Sequence, residues 1–236
     1  MDATVVMVHG AWADGSSWGK VIAELRSAGV KSVAAPLPLT SLADDMAALE
    51  RTLERAASPV VLVANAYAGA IIQSVSAEKV AALVYVAALA PEEGETVGDI
   101  FYRVEPHELA PVLGPDQHGL IWLPEDAFPR AFAQHGSDLD QALLAATQRP
   151  LAAACLVDPV PRPAWKDRPS WFLATVEDRM IPVENQRFMA ERMKARVRTA
   201  AADHVPMITK ASAIVDILLE AVREIESSRK KENSRG

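Results

Sequence analysis

A chain of 236 residues, half of them apolar and 23% charged, has the composition of one soluble globular domain. A net charge of −7 argues against nucleic acid as a partner, and no apolar run reaches the roughly 20 residues needed to cross a bilayer, so no membrane partner is expected either. A single cysteine, Cys155, excludes an intramolecular disulfide and fits a reducing, cytoplasmic setting, and the N-terminus lacks the charged-then-apolar pattern of a signal peptide.

Taken in chain order, residues 5–9 form a β-branched apolar run read as a strand, followed by helical spacing over 18–28. Residues 32–35 predict a second strand. Leu42, Met46, Leu49 and Leu53 then form one stripe of a helix over 42–56, with Ser41 as its N-cap. Strands are expected again at 60–64 and 83–87. Several of these runs are apolar on both faces, as a parallel sheet covered by helices requires. Residues 91–169 break the rhythm: they hold most of the 16 prolines and no strong strand. A structureless loop of that length is improbable in a compact domain, so an inserted cap of short helices is expected there, one of them over 139–147. Strands at 171–174 and 197–200 and a helix over 211–225 close the pattern, and the charged stretch 227–236 reads as a disordered tail. The prediction is an α/β fold: a mostly parallel sheet of about six strands flanked by helices, with the core at 1–90 and 170–226 and the cap inserted between. Ligands are expected at the carboxyl ends of the strands.

Four motifs fall at those ends. The first strand runs into His9-Gly10-Ala11-Trp12, a turn that can aim backbone N–H groups at a developing negative charge. The third runs into Ala64-Asn65-Ala66-Tyr67-Ala68-Gly69, which keeps the small residues two before and two after the centre that a tight strand–turn–helix elbow needs. After the strand at 171–174 comes Asp178, beside Arg179; after the strand at 197–200 comes His204. An acid in such a loop can orient an imidazole, and the chain order elbow, acid, histidine fits that arrangement. Taken singly, each motif also fits a plain structural role: an ordinary turn, a solvated ion pair, a packed histidine.

Together the motifs resemble the α/β-hydrolase superfamily, in particular small bacterial esterase-like proteins related to plant methylesterases and hydroxynitrile lyases. The resemblance spans about residues 4–225 and rests on VHGAWADGSSW, PLTSLADD, ALVYVAALAPEEGE, PAWKDRPSW, EDRMIP and DRMIPVENQRFMAERM. It implies Asp178 as the triad acid, His204 as the base, the N–H groups of Ala11 and Tyr67 as the oxyanion hole, and residue 66 as the nucleophile. The family usually reads Gly-His-Ser-x-Gly-Gly where this chain reads Ala-Asn-Ala-Tyr-Ala-Gly, so the nucleophile position holds Ala66. A methyl group cannot attack a carbonyl, which excludes an acyl-enzyme at that residue. Residues 64, 65 and 68 depart from the usual pattern as well, more than a change aimed at the nucleophile alone would produce.

What remains is a candidate general base, His204 held by Asp178, beside backbone donors. No cofactor is expected, and His107, His118 and His135 lack metal-ligand spacing. Ser16 and Ser17 read as caps of the following helix, and Cys155 as buried packing. The expected pocket is formed by His9, Gly10, Trp12, Asn65, Trp122 and Phe128, and its ligand by a small, largely apolar carbonyl or hydroxyl compound. Three readings stand at this stage. One is cofactor-independent general-base chemistry of lyase, oxygenase or direct water-attack type. The others are a non-catalytic small-molecule binder and a carboxylesterase inactivated at residue 66. No surface stripe indicates an oligomeric partner.

Overall fold

The structure, a computed structural model, describes residues 2–233. Six strands form one sheet: β1 (Thr4–Val8), β2 (Lys31–Ala35), β3 (Val60–Asn65), β4 (Val80–Val86), and, after an insertion holding two short strands, β7 (Ser170–Thr175) and β8 (Arg196–Ala200). Their order is β2-β1-β3-β4-β7-β8 and every pairing is parallel, as the α/β-hydrolase fold expectation requires. The central strands β1 and β3 are buried at every position, which their β-branched valines suit on both faces. The edge strand β8 is exposed except at its last residue, and Arg196 and Arg198 on it pair with Glu224 and Glu220. Charge on an edge discourages pairing with another chain.

Helices cover the two faces: α1 (Gly19–Ser27), α2 (Leu42–Arg55), α3 (Ala68–Ser74), then α6 (Val183–Arg192), the short α7 (Pro206–Thr209) and α8 (Ala211–Asn233). Ser41 caps α2 through the Asp44 N–H, as its position predicts. The stripe on α2 differs from expectation at one place: Asp45, not Met46, is fully buried alongside Leu42, Leu49 and Leu53. β2 lies on one side of β1 and β3 and β4 on the other, so the connections leaving β1 and β3 run in opposite directions. A crevice opens at such a switch point.

The segment between β4 and β7 holds α4 (Val97–Phe101), β5 (Leu120–Ile121), one π-helical turn (Phe128–Phe132), α5 (Asp138–Thr147) and β6 (Leu151–Ala152). Ser137 and Asp140 close a capping box at the start of α5, where a helix is predicted. The antiparallel β5–β6 pair was not expected, since two residues per strand leave no period to read. The expected disordered tail is also corrected: α8 continues to Asn233, while residues 234–236 lie outside the described residues. Its last stretch is rich in Glu, Lys and Arg, good helix formers that extend a helix already nucleated by buried Ile217, Leu218 and Ile225. No helix among the described residues is long and apolar enough to cross a membrane.

Candidate active site

The turn after β3 is built sterically. Ala66 has φ of 51°, a left-handed conformation that costs an alanine about 1 kcal/mol or more. Its carbonyl accepts from the Leu89 N–H at 2.9 Å, tying the turn to the segment after β4. Close approach explains the small residues around it. A Cβ on Gly69 would lie 2.3 Å from the Leu89 carbonyl oxygen, and one on Gly10 would lie 3.0 Å from the Ala66 methyl. The turns after β1 and β3 therefore press on each other, with the Ala66 methyl at the cavity wall.

His204 and Asp178 meet from the loops after β8 and β7. His204 Nδ1 lies 3.1 and 3.0 Å from the two carboxylate oxygens of Asp178, and both residues are buried. The carboxylate also accepts from the backbone N–H groups of Met180 (2.8 Å) and Ile181 (3.0 Å) and from Gln186 Nε2 (3.0 Å), so its orientation is fixed from several sides. With Nδ1 committed to Asp178, Nε2 has no partner among the described residues and His204 lines the cavity. The ring rests 5.2 Å from the Phe132 ring of the inserted segment. Asn65 anchors the loop from below, donating through Nδ2 to the His204 carbonyl at 3.0 Å and to the Val86 carbonyl at 3.1 Å.

Ala11 and Tyr67 both line the cavity, and neither backbone N–H has an acceptor among the described residues. Buried N–H groups are rarely left so. Ala11 is held from both sides. The neighbouring Trp12, at φ 57°, donates its N–H to the Arg149 carbonyl at 3.0 Å and its indole Nε1 to the Ile121 carbonyl at 2.9 Å. His9 accepts the Leu37 N–H on Nε2 at 3.1 Å, which puts its proton on Nδ1 for the Gly10 carbonyl at 3.0 Å. Burial pushes the His9 imidazole below its ordinary value, so it stays neutral.

One apolar cavity opens between these turns and the inserted segment. Of the expected pocket residues, Trp12 lines it. His9, Gly10 and Asn65 lie behind the wall and support its turns. Trp122 is corrected outright: it is 47% exposed and its indole faces Asp116. Phe128 is fully buried against Phe132 and is not part of this cavity's lining. The walls come instead from Val97, Phe101, Leu113, Leu151, Leu156 and Met180. No Lys or Arg lines the cavity among the described residues. Ser16 and Ser17 both turn their hydroxyls onto Asp14, which is the cap. Cys155 is buried, and burial pushes its thiol up to about 12.

Sequence reasoning missed Gln186, Phe132 and Asp45. Only Asp45 left a signal, as the one charge at helical spacing between Leu42 and Leu49.

A family model described as "Alpha/beta hydrolase family" matches residues 5–217. Among solved structures, polyneuridine aldehyde esterase superposes with a TM-score of 0.81 at 18% identity, over 94% of this chain and 100% of that one. An extracellular α/β-hydrolase from a Paenibacillus species gives 0.76 at 18% identity, over 93% and 98%. A histidine-to-alanine variant of tomato methylketone synthase I, complexed with β-ketoheptanoate, gives 0.80 at 19% identity, over 95% and 99%. At these identities the likeness speaks for the fold alone. A search of curated proteins finds no match.

Proposed function

The chain belongs to the alpha/beta hydrolase family, and on that premise we propose that it is a cofactor-independent enzyme working without an acyl-enzyme, with His204–Asp178 as its proton-transfer pair and the Ala11 and Tyr67 N–H groups as its oxyanion donors. The observation that carries this reading is the conjunction at one cavity wall. A methyl stands where the family's nucleophile would, while His204 Nε2 and both backbone N–H groups have no partner among the described residues. Donors aimed at where charge develops act at full strength in a water-poor cavity.

The substrate class proposed is a β-keto acid with a short apolar chain, such as the ligand of the methylketone synthase neighbour. A carboxylate entering an apolar cavity without Lys or Arg loses hydration and gains no counter-charge. Cleavage of the bond between the α-carbon and the carboxyl carbon releases CO2 and leaves the electron pair as an enolate. Its oxygen takes the two N–H groups, and its carbon takes a proton from the His204 imidazolium, which solvent later restores. Carbonyl substrate becomes methyl ketone, and no atom of residue 66 takes part.

Headspace measurement of 2-hexanone from β-ketoheptanoate tests this. The expected result is release well above the spontaneous rate at equal pH. Saturable binding with release at the spontaneous rate would make the protein a small-molecule binder instead.

A further inference from the structure

Asp45 sits at the centre of a buried cluster that the reaction above does not use. It lies on α2, fully buried, 22 residues from the elbow it contacts. One carboxylate oxygen accepts the Tyr67 hydroxyl at 2.7 Å; the other accepts the Leu39 N–H at 2.7 Å. Leu39 has φ of 61°, and its carbonyl accepts from the Ala152 N–H in the inserted segment at 2.9 Å. Cys155 Sγ is 3.9 Å from the same oxygen that holds Tyr67. Burial pushes the Asp45 carboxyl up against the hydrogen bonds from Tyr67 and Leu39, which pull it down, and burial pushes the Tyr67 phenol up as well. Asp45 answers the buried Leu39 N–H, but that need does not call for a phenol as well: a phenylalanine at residue 67 would fill the same space with no hydroxyl to satisfy.

The geometry points to Asp45 as a positioning residue: by holding the Tyr67 hydroxyl it fixes the one residue whose backbone N–H follows Ala66 into the cavity. Tyr67 is the residue just before α3 and its side chain has only two torsions, so an anchored hydroxyl restrains the ring and, through it, the backbone. The left-handed turn at Ala66 just before it is strained and needs an external hold to persist. Asp45 supplies that hold through the Tyr67 hydroxyl, and through Leu39 it also ties the elbow's support to the inserted segment. The role rests on the donor function proposed above for the Tyr67 N–H.

Tyr67→Phe removes only the hydroxyl; Asp45→Asn leaves an oxygen for Leu39 and puts opposite the phenol an amide nitrogen that can only donate to it, replacing a charge-assisted bond by a weaker neutral one. With β-ketoheptanoate, each variant is expected to lower kcat about tenfold with KM within about twofold, and the double variant no further than the slower single. A second measurement does not need the reaction. Protein labelled with ¹⁵N-tyrosine shows amide signals from only three residues, and Tyr67→Phe identifies that of residue 67 by its loss. In Asp45→Asn that signal is expected to broaden or split while that of Tyr85 stays single. If the parent makes no 2-hexanone, the proposed reaction has failed and the amide signal alone decides the positioning role. A single, sharp residue 67 signal in Asp45→Asn, or kcat within twofold of the parent in both single variants, overturns that role.

Discussion

The floor of the cavity and its roof are built by different rules. The floor is a set of turns at the ends of β1, β3, β7 and β8, each fixed by backbone geometry: positive φ at Trp12 and Ala66, a glycine forced by a 2.3 Å approach, a carboxylate caught by two N–H groups. The roof, between β4 and β7, is short elements whose apolar side chains meet over the floor without any repeating spacing. The groups proposed for the chemistry are thus placed by local constraint, and the shape of the cavity by long-range packing. Changes to the floor should alter the reaction and changes to the roof should alter stability or fit.

The largest expected effect tests the floor. Ala66→Ser puts a hydroxyl at the left-handed turn, in the cavity that His204, Ala11 and Tyr67 also line. Hydrolysis of p-nitrophenyl butyrate, followed by absorbance, is expected to rise about 10³-fold or more over the parent. No rise, with the fold intact, would mean that the floor does not hold base and donors in register. Trp12→Ala is next, because it removes the buried indole that joins floor to roof at the Ile121 carbonyl while leaving the backbone bond to Arg149. Chemical denaturation is expected to show a loss of about 3 kcal/mol. A loss below about 1 kcal/mol would show that the roof stands without that joint.

His9 gives a smaller, pH-dependent effect. Burial holds its folded-state pKa below the ordinary 6.5, so as pH falls past 6.5 the unfolded chain takes up a proton that the folded chain refuses. Its contribution is complete above 6.5 and is lost as pH falls toward the folded value, at no more than about 1.4 kcal/mol per pH unit. His9→Gln should flatten the stability curve over that window by this component, and parallel curves would contradict the buried neutral ring. Trp122→Ala should do least, within about 0.5 kcal/mol, since the ring is exposed and outside the cavity. A large change in KM in this variant would place the ligand somewhere other than the cavity.

The same division decides what the sequence made legible. His204, Asp178 and Ala66 stood out by their order after the strands, and Ala11 and Tyr67 through the family resemblance; Ala11, Ala66, Tyr67 and His204 line one cavity, with Asp178 on His204. The Ala64, Ala68 and Gly69 pattern was readable as sterics even with the hydroxyl gone. Roof residues had no such signature: Trp122 and Phe128 were expected in the wall on size alone, and one proved exposed while the other packs on Phe132. Asp45 was overlooked for the opposite reason. A carboxylate next to Asp44 in a helix's first turn reads as capping charge, and only the fold brings Tyr67 and Leu39 to it. The end of α8 was misread because charge without apolar residues looks disordered, although a helix already packed through Ile225 can carry such residues on.

The central claim is that His204 and the elbow donors act on a bound carbonyl compound with no nucleophile between them. Its most direct test is steady-state formation of 2-hexanone from β-ketoheptanoate by the parent and by His204→Ala, at a temperature where both are folded. The expected result is turnover in the parent and a fall of about 10²- to 10⁴-fold in kcat for the variant. Equal rates in the two proteins would contradict it.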